Sequence, residues 1–150
     1  MNVTIITCSK RTLKAINELS AQYIKQCIRF AKIKHINVKP VLSTPTAKQS
    51  NTENLLNQIP KQCQVLICDE RGTNLTTEQL AKKFDQIQQA TGHICLIIGP
   101  ASGFDLTLIK QHQTIKLSDL TLQHEVAQLI LCEQIYRVLS YLNNHPYHIA

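Results

Sequence analysis

The chain has 150 residues, 43% of them hydrophobic, and its sixteen Lys and Arg outnumber ten Asp and Glu for a formal net charge of +6. That length suits one domain with a real core, and the apolar fraction excludes a disordered chain. No apolar run reaches the roughly 20 residues of a membrane span, and "MNVTIITCSK" lacks the charged start of a secretory leader, so a cytoplasmic address is expected.

The first element is "NVTIITC", a short β-rich run at residues 2–8. Residues 11–31 then place Leu13, Ile16, Leu19, Tyr23, Ile24 and Cys27 close to helical spacing. The same region is basic: Lys10, Arg11, Lys14, Lys25, Arg29, Lys32, Lys34 and Lys39 all precede residue 41. On a continued helix Lys25, Arg29 and Lys32 would share one face, and such a face fits a polyanion such as nucleic acid. Solubility alone would account for the charge equally simply.

"INVKPVL" at 36–42 reads as a second strand, and the polar stretch from Ser43 to Asn57 reads as a mobile loop. "CQVLICD" (63–69) and "HICLIIG" (93–99) are continuous apolar runs, as strands buried on both faces would be. Between them "TTEQLAKKFDQIQQATG" sets Thr76 three residues before Gln79, a capping-box pattern, and stops at Gly92. Residues 122–142 contain neither Gly nor Pro and are apolar on more than one stripe, which predicts a helix buried on two sides, with a dimer supplying the second.

Strands alternating with helices predict an α/β domain with a mostly parallel sheet, whose ligands sit beyond the carboxyl ends of the strands. Three segments should gather there: "CDERGT" (68–73), "GPASGF" (99–104) and "KLSDLTLQHE" (116–125). Gly99 and Gly103 would let the backbone approach a ligand closely. Asp69 and Glu70 form either a carboxylate site or, with Arg71, a structural ion pair. His124 either caps and packs its helix or takes part in a site. The six cysteines form no CxxC pair and mostly lie in apolar runs, so reduced core thiols are expected and no metal site.

Taken together, these segments resemble a known family. "LICDERGTNLTTEQLA" (66–81), "LIIGPASGF" (96–104) and "LSDLTLQHEVAQLILCEQIYRVLSYLNNHPYH" (117–148) are similar, in order and spacing, to the large-subunit rRNA pseudouridine methyltransferases of the SPOUT superfamily. The resemblance implies one SPOUT methyltransferase domain over 1–150. Its Rossmann-like parallel sheet would be flanked by helices, with a C-terminal trefoil knot, a rare exception to unthreaded topology. It implies a cytoplasmic homodimer that uses S-adenosyl-L-methionine to methylate N3 of a pseudouridine in a 23S rRNA stem-loop of the assembled ribosome, with no metal and no membrane partner. A tRNA-directed SPOUT enzyme and a knotted RNA-binding protein without turnover are the alternatives.

Residue by residue, the resemblance assigns the cofactor to Cys68, Gly99, Gly103, Leu117, Ser118, Asp119, Leu120, Thr121 and Leu122. It folds the C-terminal tail over that site, so that Tyr147 and His148 meet the target base as the catalytic pair. Arg11, Lys25, Arg29, His124 and Arg137 would contact RNA, with Tyr136 beside the dimer seam. The sequence departs from the family pattern at Pro100, where a second glycine is usual, and at Ser102, Thr73 and Gln128, where charged or amide side chains are usual.

Overall fold

Residues 1–10, 13–42 and 44–148 are described by the computed structural model, so Arg11 lies outside the described residues. Strand β1 (Asn2–Cys8) is buried along almost its whole length and pairs in parallel with β2 (Lys32–Val38) on one side and β4 (His93–Ile98) on the other. Next to β4 comes β3 (Gln64–Asn74), and beyond it β5 (Gln113–Lys116), giving a parallel sheet in the order β2-β1-β4-β3-β5.

The two sheet faces carry separate cores because successive strand residues point to opposite sides. Val3, Ile5, Leu66, Ile94, Leu96, Ile98 and Ile115 face α1 (Lys14–Cys27), α3 (Thr77–Ala90) and α5 (His124–Leu142). Ile6, Ile67, Cys95 and Ile97 face the shorter α2 (Ala47–Leu56) and α4 (Leu106–Ile109), through Leu55, Phe104 and Ile109. Each fully buried Ile, Leu or Phe contributes roughly 1.5–3 kcal/mol to this arrangement.

The capping box is present: Gln79 N–H donates to Thr76 Oγ1 at 3.2 Å while Thr76 N–H donates to Gln79 Oε1 at 2.8 Å. Such a cap stabilises a helix by about 1 kcal/mol. Helix α5 packs against α1, α3 and β4 of its own chain, burying Leu131, Cys132, Ile135, Tyr136, Val138 and Leu139, while Val126, Leu129 and Ile130 stay half-buried.

Three expectations are corrected and one element is added. The segment 43–57 contains α2, held by buried polar groups that hydropathy does not reveal. Asn51 accepts from Val41 N–H at 2.7 Å and donates to Val41 C=O at 3.0 Å, while Thr52 Oγ1 accepts from Asp105 N–H at 2.8 Å. The second strand lies at 32–38 rather than 36–42, since Pro40 has no N–H to give a ladder. Helix α1 ends at Cys27, so Lys25, Arg29 and Lys32 do not share a helical face. Strand β5, four residues with Ile115 as its buried member, was not foreseen.

Candidate active site

The sheet delivers three chain segments to one place. Cys68 ends the straight part of β3, Ile98 ends β4 and Lys116 ends β5, and all three strands run the same way. The loops that follow them enclose a cleft of about 290 Å³ bordered by residues 68–71, 98–101, 103–104, 116–118, 120–124 and 127. The three segments expected to gather therefore do so.

Gly99 sits against the buried ring of Phe104, and a Cβ there would come within 2.8 Å of its Cε2. A side chain at 99 would thus displace the ring that floors the loop. Pro100 is buried, and its carbonyl accepts the Gly103 N–H at 2.9 Å, which folds the loop back on itself. Pro100 therefore fits as part of the wall and contributes an acceptor, although it has no N–H. Ser102 is exposed and does not border the cleft.

The 117–123 segment takes no regular structure and runs along the cleft. Ser118 Oγ accepts Leu120 N–H at 2.9 Å and shapes the turn. Leu117 and Leu122 are half-buried in the wall, while Leu120 is 77% exposed at the rim. Asp119 does not border the cleft. It pairs with Lys116 and accepts from Asn74 Nδ2 at 3.5 Å, so it braces the loop from outside.

On the opposite wall Asp69 and Arg71 form the structural ion pair. Asp69 Oδ1 accepts Arg71 Nε at 2.8 Å and Arg71 N–H at 2.9 Å, and Oδ2 accepts Nη2 at 2.9 Å. The Arg71 guanidinium holds the Asp69 carboxyl below its usual range. Burial pushes the Cys68 thiol up to about 12, so it is a neutral apolar wall at physiological pH. His124 borders the cleft at the first turn of α5, whereas Gln128 is buried one turn on. Thr73 is exposed and pairs with Ile115 across β5. Lys116, Phe104 and Gln123 also line the cleft. All three lie in the segments expected to gather, although sequence reasoning assigned none of them a role as a site residue.

The tail lies elsewhere. Tyr147 and His148 do not border their own chain's cleft. The chain turns at Asn144 and doubles back along α5 instead. Tyr147 packs on Tyr136 with ring centroids 4.4 Å apart, lies under the Arg137 guanidinium at 4.8 Å, and donates its hydroxyl to Glu133 Oε1 at 3.0 Å. Burial, then hydrogen bonds with Tyr23 and Glu133, raise the Tyr147 phenol above its ordinary range, so it stays protonated. The His148 ring is edge-on to Tyr141 at 5.2 Å and 3.7 Å from Glu78 Oε1, and neither ring nitrogen has a hydrogen-bond partner among the described residues. Arg137 is committed to Glu133 at 2.6 and 2.9 Å, while Lys25 and Arg29 lie exposed near the far end of the sheet.

A family model described as "Predicted SPOUT methyltransferase" matches residues 1–148. The chain belongs to the SPOUT methyltransferase family. Along nearly its full length this SPOUT chain is similar to proteins named ribosomal RNA large subunit methyltransferase H. It is 33% identical to the one from Dechloromonas aromatica over 99% of this chain and 98% of the relative. The relatives from Neisseria gonorrhoeae FA 1090 and Ralstonia pickettii are 31% and 34% identical, each over 99% of both chains. Among the described residues no helix is long and apolar enough to cross a membrane, and no group of three or more His, Cys, Asp or Glu could hold a metal.

Proposed function

We propose that this protein transfers the methyl group of S-adenosyl-L-methionine to N3 of a pseudouridine in 23S rRNA of the assembled ribosome, acting as a homodimer in the cytoplasm. The observation that carries this reading is the cleft built from three strand-end loops in a SPOUT chain whose full-length relatives are named for rRNA methylation. The cleft fits the cofactor in kind. It offers apolar walls from Cys68, Phe104, Leu117 and Leu122, a loop at Gly99 packed tightly on Phe104, and irregular main chain at 117–123. These residues, with Gly103, Ser118 and Thr121, would hold it, while Leu120 closes from the rim.

The bound cofactor supplies a methyl already activated on a sulfonium. The protein's task is then to place N3 in line with it, and orientation of this kind lowers a barrier by several kcal/mol. N3 must also lose its proton. Tyr147, held neutral, is suited to stacking and donating; His148 is the group suited to accepting a proton. Since both lie outside their own chain's cleft, in this reading they reach the base in the cleft of a second copy. The trefoil threading belongs to the same proposal. Ile115 pairs with both Cys68 and Thr73, so the ladder breaks at residues 69–72 beside β5, where this reading places the crossing.

The test is methyl transfer from labelled cofactor to purified ribosomes lacking the modification, with the product nucleoside mapped. Label on N3 of a large-subunit pseudouridine is the expected result. Label on tRNA alone, or cofactor binding without transfer to any RNA, would overturn it.

A further inference from the structure

The net charge of this protein sits in one segment. Between Glu18 and Glu53 there are six Lys and Arg and no carboxylate; the remaining ten basic residues are balanced by all ten acidic ones. The fold lays these six cations out as a track. Lys25 and Arg29 flank the end of α1, next to the start of β2, and Arg29 is steadied by Phe30 at 5.8 Å and by His145 Nε2 at 3.4 Å. Lys32 and Lys34 follow on β2, an edge strand, on one face and about 6.6 Å apart along it. Lys39 comes next, beyond the carboxyl end of β2, the end of the sheet at which the cleft opens.

Lys48, in the first turn of α2, completes the line. Its Cε is 3.9 Å from where a Cβ of Gly103 would lie, at the margin of the cleft. All six side chains are exposed, and none makes an ion pair among the described residues. Glu18 pairs with Lys14 and Glu53 with Gln49, and although the Lys48 charge is felt by Asp69 and Asp105, those carboxylates are hydrogen-bonded to Arg71 and Thr107.

Lysines on an edge strand also discourage strand-to-strand aggregation, which would account for Lys32 and Lys34. It does not account for Lys25, Arg29 or Lys48, which are off the edge, nor for the absence of any acid over this stretch. We propose that this track is a backbone-docking surface for the substrate RNA, leading the strand along the β2 edge to the cleft without reading its sequence. The inference rests on the reading that the substrate is RNA.

The test compares Lys32→Gln/Lys34→Gln and Lys25→Gln/Arg29→Gln with a control pair of equal charge change, Lys61→Gln/Lys82→Gln. Methyl transfer to unmodified ribosomes and binding to poly(U) are measured between roughly 50 and 200 mM salt. Each phosphate contact contributes about 0.7–0.9 to the slope of log affinity against log salt. Each track pair should therefore lower the slope by about 1.5 and raise KM for ribosomes roughly tenfold, with cofactor affinity unchanged and the control close to wild type. If a track pair keeps the wild-type slope, or if the control falls as far, the track is overturned while methyl transfer stands. If the wild-type protein methylates no RNA, the function reading has failed, and the poly(U) slopes alone decide the track by the same comparison.

Discussion

Gly72 lies directly against the backbone of Ile115: a Cβ at position 72 would come within 2.5 Å of the Ile115 carbonyl carbon and 2.6 Å of its nitrogen. Those are main-chain atoms in the middle of β5 and cannot rotate aside. Because Ile115 pairs with both Cys68 and Thr73, the segment between them bows outward and returns over β5, and the bow is the Asp69–Arg71 wall of the cleft. Gly72→Ala should therefore destabilise by about 3 kcal/mol or more, the upper end of overpacking costs. Thr73→Ala, an exposed neighbour, should stay within about 0.5 kcal/mol. Urea unfolding midpoints for the two variants check this. Equal midpoints would mean that β5 moves freely away from β3.

Gly99 and Phe104 define a second close approach, this time with a side chain that can be changed. The Phe104 ring is buried and leaves no room for a Cβ on Gly99, which would lie 2.8 Å from it. Gly99→Ala should lower cofactor affinity at least tenfold, since the ring must tilt into the cleft. Adding Phe104→Leu should recover part of that loss by vacating the contested space. Calorimetric titration with S-adenosylmethionine measures both. A Gly99→Ala variant that binds like wild type would show that this loop does not shape the site.

Which of these features the sequence announces depends on how local their cause is. The capping box at Thr76 and Gln79, the apolar runs of β1, β3 and β4, and the apolar stripes of α5 are set by near neighbours and were legible. So was the gathering of the three loops, because a parallel sheet puts all its carboxyl ends together. Helix α2 was not, since Asn51 and Thr52 are buried by bonds to Val41 and Asp105 rather than by their own hydropathy. Strand β5 was not either, because four residues with one buried side chain carry too little pattern. The tail's seat on its own helix was not legible for a related reason. Tyr147 is drawn to Glu133 and Tyr136 on its own α5, a contact made only after the chain turns back at Asn144.

The Asp69–Arg71 pair gives the cleft an acid limit. Hydrogen bonding from Arg71 lowers the Asp69 carboxyl below its unfolded value near 3.9. A group depressed on folding contributes stability that is fully present above its unfolded pKa and is lost as pH falls through the folded one. Cofactor affinity should thus be flat from about pH 5 to 8 and decline below about pH 4 as this wall loosens. Asp69→Asn should show weaker binding at neutral pH and a flattened acid limb. An unchanged acid limb in Asp69→Asn would assign the decline to another group.

The thiols should be inert in the native state. Burial pushes Cys8 and Cys132 up to about 11 and Cys27, Cys68 and Cys95 up to about 12. At about pH 8 their thiolate fractions fall to about one part in a thousand or less, and thiolate is the reactive form. Cys63, half-buried and raised less far, should be the first site alkylated by iodoacetamide. Peptide mapping by mass spectrometry checks the order. Rapid modification of Cys68 would mean that the cleft wall opens to solvent.

Glu133 is the latch of the tail. Its Oε1 accepts Tyr147 O–H at 3.0 Å together with Arg137 Nε at 2.9 Å and Nη2 at 2.6 Å, so one carboxylate fixes both the stacked ring and the cation above it. A hydrogen bond to a charged group contributes about 1.5–3 kcal/mol, or roughly ten- to a hundredfold in the docking equilibrium. Tyr147→Phe removes that bond and keeps the ring on Tyr136. It should leave cofactor affinity nearly unchanged while loosening the tail and lowering kcat/KM for ribosomes about tenfold or more. Glu133→Gln keeps a weaker, neutral acceptor, frees Arg137 and should show a loss of the same kind. Deleting residues 146–150 should abolish transfer altogether. Full methylation by the truncated chain would confine Tyr147 and His148 to packing against α5 and remove them from the chemistry.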